Sequence, residues 1–153
     1  MILWRLSGAI HARAFDGGYG LHFNGRWNTV GHAVTYCASS PALCVLEKLV
    51  HVEDPDLLPP LMMVRYEAPD DLRRTKIEIV DLPHDWRQKE TWSQEFGNVW
   101  CVDGQSALLE VPSVILPIVD SPDFNILINH RHPDVAKISI VSVDPFVFDA
   151  RFF

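Results

Sequence analysis

One stretch, Asn24–His51, constrains the fold most, because it passes from loop to strand to helix. It reads NGRWNTVGHAVTYCASSPALCVLEKLVH. Gly25 and Gly31 bracket a loop in which the backbone can take unusual angles or come close to a ligand. The alternating run Ala33–Ala38 predicts a strand. The stretch therefore indicates a strand preceded by a loop that can approach a ligand.

A helix is predicted directly after this strand. Ser40 is typical of an N-cap and Pro41 of a first helical position, so the helix should run from there to about Val52. Helical spacing places Glu47 at the edge of a broad apolar arc. The arc consists of Ala42, Leu43, Val45, Leu46, Leu49 and Val50. A half-buried carboxylate needs a partner or a function. The simpler alternative, which periodicity alone favours, is a solvated residue paired with His51.

Length and charge limit the classes of protein that this sequence can encode. With 153 residues, a single domain covering residues 1–153 is expected. Hydrophobic residues make up 48% and charged residues 22% of the chain, which is typical of a globular protein. The formal charge of −7 disfavours a broad contact with a phosphate backbone, so no direct nucleic-acid partner is expected.

Cysteines and histidines do not form a recognisable metal or disulfide motif. Cys37, Cys44 and Cys101 are odd in number and lack CxxC spacing, which favours a reduced, cytoplasmic chain. His130 and His132 form an H-x-H pair without a second ligand cluster, so no metal is expected. The opening MILWRLSG has no targeting pattern, and no apolar run approaches membrane-spanning length, so no membrane association is expected.

The remaining elements predict an α+β fold. Strands are predicted at Ile2–Leu6, Leu61–Tyr66, Lys76–Leu82, Ala107–Leu116, Lys137–Val143 and Phe146–Asp149, with a short apolar run inside Asp123–Pro133. A second helix is predicted at Asp85–Phe96, with Gly97 as its stop. Pro112 places its strand at an edge, bulge or kink, and Ser113 after it could simply bond the local backbone. Roughly six to eight strands with two main helices are typical of a mixed α+β layout.

Several separated motifs resemble one known family over nearly the whole chain. They are GRWN, a tyrosine ten residues after its arginine, SPALCVLEKLVH, LLEVPSVILP, FNILINHRHPD and the ending VDPFVFDARFF. Together they resemble the RES domain, the toxin half of bacterial RES-Xre toxin-antitoxin modules. The arginine, glutamate and serine that name the family match Arg26, Glu47 and Ser113, and Tyr36 matches its accompanying tyrosine.

The resemblance implies a fold, a substrate and a partner. The fold is expected to be ADP-ribosyltransferase-like, a mixed β-sheet core with flanking helices. NAD is the expected substrate, cleaved at the nicotinamide–ribose bond by hydrolysis or phosphorolysis in a type II toxin. The alternative is transfer of ADP-ribose to a cellular protein acceptor. The implied partner is an Xre-type antitoxin that covers the active site.

With NAD as substrate, the residues have distinct expected roles. Glu47 would stabilise positive charge on the ribose, and Arg26 would clamp the pyrophosphate. Trp27, Asn28 and Tyr36 are further candidates for NAD binding. Tyr36 would stack on nicotinamide or orient the ribose, while Ser113 would bond the ribose or hold Glu47.

Two rivals lie outside this chemistry. In a non-catalytic binding module, Arg26 and Glu47 would form an internal ion pair. An RNA-cleaving toxin is disfavoured by the acidic charge.

Overall fold

Seven strands form one sheet, and three helices flank it. The structure, a computed structural model, describes residues 1–153. The strands are β1 (Ile2–Gly8), β2 (Val34–Ala38), β3 (Leu61–Glu67), β4 (Arg74–Lys76), β5 (Leu108–Val111), β6 (Asn125–Asn129) and β7 (Ser139–Phe146). The helices are α1 (Gly18–His22), α2 (Pro41–Leu49) and α3 (Thr91–Asp103). None of these helices is long and apolar enough to cross a bilayer.

The strand order places the predicted site strand near the middle of the sheet. The order is β4-β5-β6-β2-β1-β3-β7, in which β4 and β5 are parallel and every other pair is antiparallel. Tyr36 lies opposite Leu127, and Ala38 lies opposite Asn125. On the other side of β6, Val111 also pairs with Asn125. The sheet is therefore mixed, and the predicted α+β class with flanking helices is confirmed.

The two faces of the sheet bury separate apolar clusters, because side chains alternate along each strand. One cluster includes Leu3, Val64, Tyr66, Leu108, Ile126 and Ile128. The other includes Trp27, Val34, Trp100, Leu109, Val111 and Leu127, with Tyr36 packed against it. Since α3 contributes Trp100 to the second cluster, this helix covers the face of the sheet that carries Tyr36.

Helix α2 begins where the sequence predicts and ends earlier. The Ser40 hydroxyl accepts the Leu43 N–H at 3.2 Å, and Pro41 is the first helical residue. The helix ends at Leu49, three residues short of Val52. The predicted apolar arc is only partly buried, since Leu43 is 1% exposed but Val50 is 60% exposed.

Helix α3 differs from the helix predicted at Asp85–Phe96. It begins at Thr91 and ends at Asp103, where Gly104 takes the left-handed conformation typical of a C-terminal cap. The prediction was wrong because Gly97 was interpreted as a stop, whereas it lies inside the helix. A Cβ on Gly97 would lie 1.8 Å from the Trp27 carbonyl oxygen, so close packing explains the glycine.

Four predicted strands also differ from the structure. The strand at Lys76–Leu82 was wrong, because β4 ends at Lys76 and a 3₁₀ helix occupies Ile79–Asp81. The strand predicted at Ala107–Leu116 ends at Val111, directly before a proline that lacks an N–H for the ladder. Of the last two predicted strands, Lys137–Val143 corresponds to β7, which runs from Ser139 to Phe146. The strand at Phe146–Asp149 was wrong, because β7 ends at Phe146 and the chain leaves the sheet there.

Candidate active site

A tightly held loop carries the predicted arginine. We call residues Gly25–Asn28 the GRWN loop. Its ends meet, because the Gly25 N–H donates to the Asn28 carbonyl at 3.0 Å. A Cβ on Gly25 would lie 2.4 Å from the Tyr36 hydroxyl oxygen, so only glycine fits there. The loop is therefore built to lie directly on β2.

The Tyr36 hydroxyl joins this loop to the sheet. It accepts the Trp27 N–H at 2.9 Å and donates to Oδ1 of Asn28 at 2.7 Å. Burial raises the pKa of Tyr36 well above its usual value, so the phenol keeps its proton. Asn28 is fully buried, and its Nδ2 donates to the carbonyls of Phe23 and Thr29. Both polar side chains are thus engaged in holding the loop.

Trp27 lies in the core and leaves little of its side chain accessible. The residue is 2% exposed, and its ring meets Phe96 edge-on at 6.3 Å. Polar side chains of α3 bind the backbone on both sides of it. Ser93 donates to the Arg26 carbonyl at 2.7 Å, Gln94 donates to the Gly25 carbonyl at 2.9 Å, and Asn98 accepts the Thr29 N–H at 3.0 Å. One helix therefore fixes the loop.

Arg26 is held by the segment that precedes α3. Its guanidinium donates to the carbonyls of Trp86 and Arg87, and its centre lies 5.4 Å from the Trp86 ring. Nη1 lies 3.7 Å from a carboxylate oxygen of Glu90. Burial lowers the pKa of Arg26 and Glu90 opposes this effect, yet an arginine stays charged. The ion pair is with Glu90 and not with Glu47, so the internal pair of the binding-module alternative is absent.

Glu47 is half-buried on α2 and makes two hydrogen bonds through one oxygen. Its Oε1 accepts the Ser113 hydroxyl at 2.8 Å and Nδ2 of Asn125 at 2.6 Å. Ser113 is fully buried, and its Oγ also accepts the N–H groups of Ile115 and Leu116 at 3.1 and 3.2 Å. Ser113 therefore bonds the local backbone, as the simpler interpretation predicted, and Glu47 as well.

The two groups of residues lie on one face of the sheet. Tyr36 and Ala38 are two residues apart on β2, and Ala38 pairs with Asn125. Tyr36 and Asn125 are thus diagonal neighbours, roughly 7–8 Å apart by the usual sheet geometry. Trp27, Asn28 and Tyr36 share one hydrogen-bonded network, and Glu47 and Ser113 form another with Asn125. The Arg26 side chain belongs to neither network, because its guanidinium contacts Trp86, Arg87 and Glu90.

Asn125 is the site residue that sequence reasoning missed. Alternation along β6 places it on the same face as Leu127 and Asn129. A polar residue on the inward face of an apolar strand indicates a candidate site residue, because a buried amide requires hydrogen-bond partners. The prediction for Asp123–Pro133 noted only a short apolar run and did not consider which residues share a face of the strand.

The three cysteines are buried, and the two histidines of the H-x-H pair make local hydrogen bonds. Cys37, Cys44 and Cys101 are free and buried, and burial raises the pKa of the Cys44 thiol to about 12. A thiol of this kind is a poor nucleophile. His130 bonds the Thr35 hydroxyl at 2.8 Å, and His132 accepts the Asp134 N–H at 3.1 Å. No group of three or more potential ligand side chains is arranged to hold a metal.

An open depression of about 370 Å³ lies elsewhere, at the start of β1 and beside β7. Met1, Glu67, Asp70 and Lys137 contribute to its lining. None of the predicted site residues lies there. The chemistry of the fixed carboxylate and guanidinium, and not the size of this depression, therefore defines the candidate site.

Known sequences share the whole length of this chain. The RES domain family matches residues 2–149. Toxin Res of Pseudomonas putida is 36% identical over 155 residues, which cover 100% of both chains. The Prs ADP-ribosylating toxin of a Sphingobium species is 36% identical over 158 residues, covering 97% of this chain and 94% of the relative.

A solved structure shares the fold. The toxin-antitoxin complex MbcT-MbcA of M. tuberculosis contains a chain that superposes with a TM-score of 0.74 at 17% identity. The match covers 95% of this chain and 84% of that one. The family match over almost every residue, together with two full-length relatives above one-third identity, shows that this chain belongs to the RES domain family.

Proposed function

We propose that this protein is the toxin of a type II toxin-antitoxin pair and cleaves NAD at the nicotinamide–ribose bond, by hydrolysis or phosphorolysis. The observation that carries the proposal is the Glu47 carboxylate, held through one oxygen by Ser113 and Asn125, with Asn125 on the sheet face that also carries Tyr36. The toxin names of the Pseudomonas and Sphingobium relatives support it. The reaction would deplete NAD in the cytoplasm, where this substrate is abundant.

Glu47 would stabilise the sugar as the bond breaks. Loss of nicotinamide leaves oxocarbenium character on the ribose, as in glycoside cleavage. A fixed carboxylate close to that ring lowers the energy of the developing positive charge without reorganising during the reaction. Nicotinamide leaves readily, so a second carboxylic acid is not required.

Arg26 would bind the pyrophosphate of NAD. A guanidinium matches phosphate oxygens with two parallel N–H donors. Its carboxylate partner Glu90 has a side chain that is 57% exposed and lies 3.7 Å away. Because the Glu90 side chain is largely exposed and its contact with Arg26 is long, this ion pair is weak, and a doubly charged pyrophosphate would replace it.

Tyr36 and Ser113 would act mainly by positioning. The Tyr36 hydroxyl has both of its hydrogen bonds within the GRWN loop, which supports a role in holding Asn28 and the backbone beside Arg26. The bond from Ser113 to Glu47 supports the second of its two predicted roles. Trp27 would contribute through the loop that it anchors, because its ring is buried.

Transfer of ADP-ribose to a protein is the second candidate. The Sphingobium relative at 36% identity is named as an ADP-ribosylating toxin, which favours this alternative. The same bond breaks in both reactions, and only the acceptor differs. Labelled NAD distinguishes them, because the label remains on a protein band after transfer.

An Xre-type antitoxin would neutralise the toxin by covering the face that carries Arg26 and Glu47. The fold neighbour was solved as a toxin-antitoxin complex, which supports a partner of this kind. Loss of NAD turnover on addition of the antitoxin, with NAD no longer able to bind, is the expected result. A complex whose cleft remains open to NAD would contradict it.

The direct test measures nicotinamide release from NAD by the purified protein. We expect release in phosphate-free buffer for hydrolysis, or only with phosphate for phosphorolysis. Glu47→Gln keeps the shape but removes the charge, so it should abolish turnover while the protein stays folded. Glu53→Gln, the same change at an exposed position, is the matched control and should turn over normally. Equal turnover by the Glu47 variant would refute the proposed role.

A further inference from the structure

We infer that Asn125 is a positioning residue that, with Ser113, occupies one oxygen of Glu47 so that the other oxygen faces the substrate. The inference rests on the proposed function and adds a residue to which the sequence motifs assign no role. It assigns different tasks to the two oxygens of one carboxylate. Oε1 is the anchored atom, and Oε2 is the working atom.

The chemistry of the pair fixes the orientation of the Asn125 amide. Nδ2 lies 2.6 Å from Oε1 of Glu47. The flipped amide would place its carbonyl oxygen against a carboxylate, which is repulsive. The N–H therefore points at Glu47 and forms a charge-assisted hydrogen bond, which is stronger than a bond between neutral groups.

The direction of the Ser113 bond is fixed in the same way. Its Oγ accepts N–H groups from Ile115 and Leu116. Since the hydroxyl has a single proton and two lone pairs, the remaining O–H must donate to Glu47. Ser113 is fully buried, so water does not compete for that proton. Two donors of fixed direction thus converge on Oε1.

The backbone around Asn125 gives the anchor its precision. Asn125 begins β6 and pairs with Ala38 on one side and Val111 on the other. Because β6 is hydrogen-bonded to neighbouring strands on both edges, the backbone that carries the Asn125 side chain is fixed. Glu47 comes from a helix and Ser113 from the segment after β5, so the anchor joins three separate parts of the chain.

The second oxygen of Glu47 stays available. Oε2 makes no hydrogen bond, and it is not one of the buried polar atoms that lack a partner. Oε2 therefore reaches solvent, and Asn125, the partner of Oε1, lies on the sheet face that also carries Tyr36. A carboxylate anchored through one oxygen can present the other to a ribose without losing rotational freedom at the moment of reaction.

Three variants test the assignment through nicotinamide release from NAD. Asn125→Ala removes one donor, so kcat should fall about 10- to 100-fold, as expected for loss of a hydrogen bond to a charged group. KM for NAD should change much less, because the anchored atom does not touch the pyrophosphate. Ser113→Ala should lower kcat in the same way. Asn125→Asp has nearly the same shape and guards against a folding failure.

The pH profile separates positioning from a structural role. Asn125→Asp brings a second carboxyl to 2.6 Å from Glu47, and two carboxylates that close do not both stay charged. The acid limb of the rate profile should move to higher pH. Other ionisable groups on the adjoining elements are unchanged between the variants; they are Cys44 and Lys48 on α2, His51 after it, Asp123 before β6 and Tyr36 on β2. Asn129→Asp, the same change on the same face of β6, should lower stability without moving the limb.

The outcomes for this inference and for the proposed function differ. A wild-type protein that never releases nicotinamide, with or without a protein acceptor, overturns both. If the wild type is active and the folded Asn125→Ala variant has a kcat within twofold of the wild-type value, this inference alone is overturned. The inference is also overturned if the pH–rate profile of Asn125→Asp coincides with that of the wild type. It is likewise overturned if the rates of the variants fall only in proportion to the fraction of folded protein.

Discussion

The carbonyl oxygen of Trp27 packs against Gly97 so closely that no side chain fits between them. A Cβ at that glycine would lie 1.8 Å from the oxygen and 2.9 Å from the carbonyl carbon. Helix α3 therefore touches the backbone of the GRWN loop directly, one residue after Arg26. Because interiors pack without spare volume, the position of that helix determines the position of the arginine.

Gly97→Ala should consequently disturb both stability and activity. The added methyl must displace a backbone carbonyl and not a flexible side-chain end, so a loss of about 1–3 kcal/mol is expected. The measurement is urea unfolding beside nicotinamide release. Gly8→Ala is the matched control, because nothing lies within 4 Å of a Cβ added there. Its urea unfolding curve and its rate of nicotinamide release should both be close to those of the wild type. An unaltered midpoint for the Gly97 variant would show that α3 moves freely.

Tyr36→Phe should loosen the GRWN loop while the sheet stays intact. The change leaves the Trp27 N–H and Oδ1 of Asn28 without partners in a buried place. We expect a loss of about 1–3 kcal/mol in the free energy of unfolding, together with a higher KM for NAD.

Tyr19→Phe provides the comparison for that variant. Its hydroxyl makes one bond, to the Asn24 carbonyl at 3.3 Å, and the residue is 50% exposed. Removing this hydroxyl should change stability by less than about 0.5 kcal/mol. If both variants behave alike, the Tyr36 network has no special role.

Local chemistry explains which parts of this fold could be predicted from the sequence. Ser40 and Pro41 define the start of α2 because capping depends only on the adjacent residues. Gly97 was misinterpreted because its reason lies in contact with Trp27, far away in sequence. A glycine inside a helix and a glycine after one look the same without that contact.

In the candidate site, too, the sequence indicated some residues and not the contacts between distant parts of the chain. The resemblance identified Glu47 and Ser113, and the structure places them in a hydrogen bond. Asn125 escaped notice because its partner lies 78 residues earlier, and no local pattern reports such a contact. The partner of Arg26 was equally hidden, since Glu90 belongs to a segment that was predicted as helix.

Arg26→Lys should raise KM for NAD although the charge is kept. Lysine lacks the planar fork that contacts the carbonyls of Trp86 and Arg87 and that would bind phosphate oxygens. Loss of charge-assisted bonds corresponds to roughly a tenfold or greater change. Initial rates over a range of NAD concentrations measure this change.

Glu90→Gln is the control for Arg26→Lys, because it removes the carboxylate partner and leaves the arginine intact. It removes an exposed partner at 3.7 Å, whose effect on stability should be below about 1 kcal/mol. KM for NAD should stay equal or fall, because a competing carboxylate is gone. A rise in KM for this variant, or no rise for Arg26→Lys, would contradict pyrophosphate binding by Arg26.

His130 should make the folded protein less stable in mild acid. Burial lowers the pKa of this histidine from 6.5 to about 4, with the Asp16 carboxylate opposing the effect and Arg5 adding to it. Between those pH values the unfolded chain binds a proton that the folded chain does not. The contribution of His130 to the free energy of unfolding is therefore fully present above about pH 6.5 and decreases as the pH falls. Below about pH 4 it no longer changes.

His130→Gln tests that dependence because it removes the titrating ring and keeps a polar partner for the Thr35 hydroxyl. The ring is partly exposed, so the loss attributable to it between pH 7 and 4.5 should be roughly 1–3 kcal/mol. Urea unfolding at several pH values gives the difference between wild type and variant, which cancels the other titrating groups. His11→Gln, at an exposed histidine, should retain the wild-type slope. A wild-type slope in the His130 variant would show that this histidine does not control the acid sensitivity.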